Sequence, residues 1–100
     1  MIIFLYRWKI KPGKEKQFED NWVLVTKAIY NECGSYGSRL HLADNGEYVG
    51  YAQWPDSDTR NKCELQSSSV EARKLMREAI ETSYPDQILT VKSDLLVHGR

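Results

Sequence analysis

The hydrophobic period of the chain changes once near its start, at Pro12-Gly13, and this change constrains the fold more than any other feature. Before it, Ile2, Phe4, Tyr6, Trp8 and Ile10 take every second position of a dense run of β-formers. Such a run predicts a central strand with at least one well-covered face. From Lys14 onward, Phe18, Trp22, Val25 and Ile29 fall at i, i+4, i+7 and i+11, one stripe of a long helix. Gly34 suits a left-handed C-cap, so that helix ends at Cys33. A central strand feeding a long amphipathic helix has to bury both apolar surfaces against each other.

Two further strands, Tyr36 to Ala43 and Glu47 to Trp54, flank Asp44-Asn45-Gly46, a strong hairpin signal. Two registers are open. A two-residue type I′ loop pairs Asp44 with Glu47, whereas a three-residue loop with Gly46 as the bulge pairs Ala43 with Glu47. Asp44 at a type I turn favours the bulge register. Pro55 ends the third strand, and Asp56 to about Gln66 reads as a short polar helix capped by Asp56 or Ser57. Ser68 and Glu71 form a capping box. The helix it opens carries Ala72, Leu75, Met76, Ala79 and Ile80 and stops before Tyr84-Pro85. Gln87 to Val97 reads as the last strand, and residues 98–100 as a frayed tail.

The order βαββααβ predicts an α+β, ferredoxin-like domain over residues 1–100: a four-stranded antiparallel sheet with helices on one face. No element is left to cover the other face, so a second copy of the chain is the expected cover. With 14 basic and 14 acidic residues the net charge is zero, which argues against nucleic acid or an anionic membrane as partner. The longest uncharged apolar stretch, Met1 to Tyr6, is far short of a membrane span, and signal-peptide features are missing. Cys33 and Cys63 share no CxxC or His-paired spacing. Two reduced thiols in a cytoplasmic protein are the expectation, with a disulfide or a reactive thiol as alternatives.

Three sequence phrases point to a family. Tyr6-Arg7-Trp8-Lys9-Ile10-Lys11-Pro12-Gly13-Lys14-Glu15, running into Phe18 and Trp22, resembles the opening of antibiotic biosynthesis monooxygenase (ABM) domains. Ser35-Tyr36-Gly37-Ser38-Arg39-Leu40-His41 and Tyr51-Ala52-Gln53-Trp54-Pro55 extend the resemblance over about residues 2 to 97. It implies a homodimer whose sheets face each other, the dimeric α+β barrel. Two activities come with the resemblance as possibilities, oxygenation of aromatic substrates without a cofactor and haem cleavage, and relatives that oxidise or isomerise small signalling molecules or have no demonstrated activity stay open beside them. The haem-cleaving members use an Asn on the first strand and a His on the helix before the last strand. This chain has neither, as its first strand lacks Asn and Ser68 to Ser83 lacks His.

Oxygenation without flavin or metal needs an oxidisable substrate, a base, a partner for the substrate anion, and aromatic walls that exclude water. His41 is the candidate base, Arg39 the oxyanion partner on the same strand face, and Tyr51 a hydrogen-bond donor opposite Arg39 in the bulge register. The plainer reading makes Arg39, His41 and Gln53 polar members of the sheet face at a dimer interface, hydrogen-bonded to the other subunit. Tyr6, Trp8, Trp22, Trp54 and Met76 are the candidate walls of a substrate pocket, with Gly50 and Ala52 leaving room beside the rings. The alternative is that these rings simply fill the core. No metal-ligand cluster, phosphate loop or dinucleotide fingerprint is present in the sequence. The leading expectation is a cofactor-independent monooxygenase of an aromatic or quinone-like small molecule. The alternative is a non-catalytic dimeric ligand-binding or interaction domain. A closed cavity of roughly 300 Å³ or more beside Trp8 and Trp54 would favour a ligand site.

Overall fold

A computed structural model describes residues 1–64 and 69–97. In chain order the elements are β1 (Ile2–Ile10), α1 (Glu15–Cys33), β2 (Gly37–Leu42), β3 (Tyr48–Trp54), α2 (Ser57–Asn61), α3 (Val70–Glu78), β4 (Ile80–Ser83) and β5 (Gln87–Thr90). The strands form one antiparallel sheet in the order β2-β3-β1-β4, with β5 also on β1. This is the ferredoxin-like α+β arrangement with β1 at its centre.

β1 pairs with β3 from Ile2↔Trp54 to Trp8↔Tyr48. Its other edge is shared: β4 covers Trp8 to Ile10 and β5 covers Ile2 to Leu5. The sheet thus has five strands where four were expected, because the last helix stops at Glu78 and the chain pairs at once. Ile80 and Thr82 are β-branched, and the edge of β1 offers backbone groups that need partners. Lys11 N donates to Ala79 O at 2.9 Å, and Tyr84 N donates to Arg7 O at 3.0 Å, so pairing continues at both ends of β4. Pro85 brings no N–H and interrupts the ladder. Pairing resumes at Gln87 and ends at Thr90, not Val97, since Thr90 pairs with Ile2 and β1 has nothing further to offer.

The β2–β3 hairpin adopts the bulge register. Leu42 pairs with Tyr48 and Arg39 with Tyr51, Ala43 N donates to Glu47 O at 2.8 Å, and Gly46 N donates to Ala43 O at 3.0 Å. Gly46 has φ +88°, the left-handed geometry such a loop demands. Gly34 likewise caps α1 in the left-handed region. Asp56 caps α2, its Oδ1 accepting from Thr59 N at 2.7 Å. Ser68 of the expected capping box and the tail 98–100 lie outside the described residues.

Alternation along β1 and β3 sends their even-numbered side chains toward the helices. One core cluster joins Ile10, Phe18, Tyr48 and Ala79, with Trp8, Trp22 and Met76 packed against it. A second joins Phe4, Ala52 and Trp54, with Tyr6, Ile29, Cys33 and Cys63 around it. Gln17 Nε2 donates to Leu75 O at 2.8 Å and ties α1 to α3.

The cysteines depart from expectation. Cys33 and Cys63 are joined as a disulfide with a Cα–Cα distance of 5.1 Å. Their 30-residue separation hides a meeting that the fold creates, by laying the end of α1 beside the end of α2. The bridge also removes reduced thiols as grounds for a cytoplasmic location. No described helix is long and apolar enough to cross a membrane.

Candidate functional site

A ring-walled cleft lies between sheet and helices, with a volume of about 220 Å³. β1 supplies Tyr6 and Trp8, β3 supplies Gly50, Ala52 and Trp54, α1 supplies Trp22, Val25 and Ile29, and α3 supplies Met76. All five residues expected as pocket walls (Tyr6, Trp8, Trp22, Trp54 and Met76) therefore border one space. The volume is below the roughly 300 Å³ lower end of ordinary small-molecule pockets.

Period-2 alternation explains the wall. Phe4, Tyr6 and Trp8 stack along β1, with ring centroids 6.3 and 5.7 Å apart at interplanar angles of 23° and 14°. Trp8 then meets Phe18 edge-on at 5.3 Å. Across the strand pair Gly50 presents no side chain, and the Trp8 ring lies directly over it, so ring and backbone together form the floor of the slot.

One end of the cleft is polar. Pro55 terminates β3, the Asp56 cap starts α2, and the short helix brings Arg60 back over β1. Arg60 Nη2 and Nε donate to Tyr6 Oη at 3.3 and 3.4 Å. Its guanidinium carbon sits 4.7 Å from the Phe4 ring centroid, and Asp86 pairs with it at 3.6 Å. Burial pushes the Tyr6 hydroxyl above the usual tyrosine range, and Arg60 opposes that shift. Beside this end a more open hollow of about 520 Å³ is lined by Tyr6, Ile29, Trp54, Arg60, Asn61, Cys63, Glu64 and Arg73. Trp54 is 3% exposed, and its Nε1 finds no acceptor among the described residues; nor does Arg73 Nε. The half-exposed Arg60 guanidinium beside the Tyr6 hydroxyl suits this corner to a ligand bearing an oxygen acceptor or a negative charge.

Arg39 and His41 lie outside the cleft, whereas Tyr51 borders both the cleft and the other sheet face. Arg39 pairs with Tyr51 in the ladder as expected, and all three border a shallow depression with Tyr36, Gln53 and Leu96 on the other sheet face. Arg39 and His41 are exposed and Tyr51 half-buried; His41 Nδ1 lies 3.3 Å from Val49 O. Tyr51 stands between Gly50 and Ala52, whose faces look into the cleft, so its side chain points away. The expected polar trio and the expected ring walls thus do not form one constellation. A one-residue step along a strand reverses the face, and the trio carries odd numbers while the strand walls carry even ones.

Arg60 is the site residue that the sequence reading passed over. Its only signal was a basic residue on a short helix beginning right after a ring-bearing strand. Among the described residues no three His, Cys, Asp or Glu side chains cluster as a metal site would require.

No protein-family model matches the sequence, and no curated protein matches it either. Solved structures do. SnoaB, a cofactor-independent oxygenase from Streptomyces nogalater, superposes with a TM-score of 0.76 at 19% identity, over 94% of this chain and 95% of that one. A Caulobacter crescentus protein, provisionally described as an antibiotic biosynthesis monooxygenase, has a TM-score of 0.76 at 17% identity, covering 92% and 90%. A Deinococcus radiodurans protein with the same provisional description reaches 0.74 at 10% identity, covering 99% and 100%. The strand order, the open sheet face and these superpositions agree that the chain has the fold of the antibiotic biosynthesis monooxygenases.

Proposed function

We propose that this protein is a cofactor-independent monooxygenase of a small aromatic or quinone-like molecule, bound in the cleft between sheet and helices. The observation that carries the reading is the cleft's composition: stacked rings along one side, and at its end Arg60 and the Tyr6 hydroxyl. The rings orient a flat ligand and exclude water. Arg60 favours the ionised form of a phenol or enol, which is the form able to give an electron to oxygen. The reaction class balances without an outside reductant: a ring CH₂ and O₂ become a ring C=O and H₂O, the substrate supplying the electrons. SnoaB, of the same fold, is a cofactor-independent oxygenase, which supports the class.

Arg39, His41 and Tyr51 take a different part in this reading. They belong to the open sheet face, where a second copy of the chain would stack to complete a dimeric barrel. Exposed Leu89 and half-buried Leu5 and Tyr51 share that face. Light scattering at micromolar concentration should give a dimer, and a monomer would overturn this part.

Oxygen uptake across anthrones, naphthols and quinols tests the activity. Arg60→Met should lower substrate-dependent uptake about tenfold or more, the scale of one lost anion-stabilising contact, while Arg39→Ala and His41→Ala leave it near wild type. Probe binding without uptake for any substrate would favour the second reading, a non-catalytic ligand-binding domain.

A further inference from the structure

The disulfide is a chemically reactive group that the proposed reaction does not use, and its position gives it a part in the site. α2 has five residues and buries none of them, so its own packing holds it weakly. Yet α2 carries Arg60, which forms the polar end of the cleft. Cys63 lies two residues beyond its last residue, Asn61, and is tied to Cys33 at the end of α1. The other attachments of this segment are individually modest: the long bonds to Tyr6, the Arg60 guanidinium over the Phe4 ring, the 3.6 Å pair with Asp86, and Thr59 beside Gly34. The bridge is also reachable. Both cysteines are half-buried, an outer hollow is lined by Cys33, Thr59, Lys62 and Cys63, and Cys63 borders the hollow over Trp54 on the inner side.

We propose that Cys33–Cys63 is a thiol–disulfide exchange site that fixes Arg60 in the cleft when oxidised and releases it when reduced. The co-reactant is a dithiol. Two of its S–H bonds and the Cys33–Cys63 S–S bond break, a new S–S bond forms within the donor, and Cys33 and Cys63 leave as thiols carrying the two electrons and two protons. In a reducing compartment such a bridge is transient, which suits a switch rather than a permanent staple. The effect on ligand rests on the cleft being the aromatic site, and the coupling must be reciprocal: a ligand that prefers the oxidised form must also make the bridge harder to reduce.

The test uses the intact chain, oxidised and dithiothreitol-reduced, with 1-naphthol as the probe, read by tryptophan quenching. Reduction should weaken naphthol binding about tenfold, a typical coupling between two sites, and reoxidation should restore it. Saturating naphthol should lower the bridge's reduction potential by about 30 mV, the same tenfold converted for two electrons. Cys33→Ser/Cys63→Ser should bind like the reduced protein and ignore dithiothreitol. Amide hydrogen exchange over residues 57–62, measured without ligand, should quicken on reduction. Equal naphthol affinity in both states, unchanged exchange over that segment, or a bridge that resists dithiothreitol in the native protein would each overturn the proposal. Naphthol failing to bind either state would instead remove the aromatic-site reading, and the exchange rates would still decide whether the bridge holds α2.

Discussion

Gly50 lies so close beneath the Trp8 ring that a Cβ there would stand 2.8 Å from Trp8 Cη2 and 3.0 Å from Cζ3. Real side chains do not approach so closely, so the ring occupies its place only because position 50 has no side chain. The same contact sets the slot's floor. Gly50→Ala should move Trp8, which also stacks on Tyr6 and meets Phe18. Overpacking of this kind costs about 1–3 kcal/mol, offset by up to about 1 kcal/mol from the stiffer unfolded chain. A net loss of about 1–2 kcal/mol in urea unfolding, with an altered near-ultraviolet tryptophan signal, is expected. Unchanged stability and spectrum would show that the ring moves freely.

Tyr48 donates to Glu19 Oε2 at 2.6 Å from a buried position on β3. Burial first, and then this bond and the Glu19 charge, push its hydroxyl from 10.0 up to about 12. The unfolded chain therefore loses this proton at lower pH than the folded one. The contribution to stability is complete below pH 10, and is lost as pH rises from there through about 12. Ultraviolet titration should show Tyr48 ionising well after the exposed tyrosines, in a late step that it contributes to alongside Tyr6. Tyr48→Phe should remove its part of that late step and flatten the high-pH fall in stability.

Removing Arg60 should show in the titration of Tyr6. Burial raises the Tyr6 hydroxyl and Arg60 opposes the rise through its hydrogen bond and charge. Arg60→Met therefore moves Tyr6 ionisation to still higher pH. A shift to lower pH would mean that the guanidinium is not seated on Tyr6 in solution.

The Cys33–Cys63 bridge closes a loop spanning 30 positions. Constraint of the unfolded chain by such a loop stabilises the fold by roughly 3–4 kcal/mol in the chain-entropy argument. Reduction should lower the urea midpoint accordingly, and equal midpoints with and without reductant would contradict the bridge.

Much of the site was legible because it obeys local periodicity. The even-numbered rings of β1 share a face whatever the strand pairs with, and the Phe18 to Ile29 stripe follows from 3.6 residues per turn. The hairpin register also came from a local cause, the need for a left-handed residue at Gly46. Arg60 was not legible, because its role depends on where a short helix lands after Pro55. The split of the last strand escaped for a similar reason. Ile80 to Ser83 fits the stripe of the preceding helix as well as it fits a strand, and only the open edge of β1 decides between them.

The sequence by itself determined which side chains lie together along each element, since strand and helix periods are properties of the local backbone. It also determined the order of elements, and from that order the ferredoxin-like sheet. Tertiary structure alone decided that Arg60 closes the cleft and that Cys33 meets Cys63. These facts depend on how distant segments come to rest against one another. Such contacts are set by the collective burial of the whole core, and no window of neighbouring residues contains them.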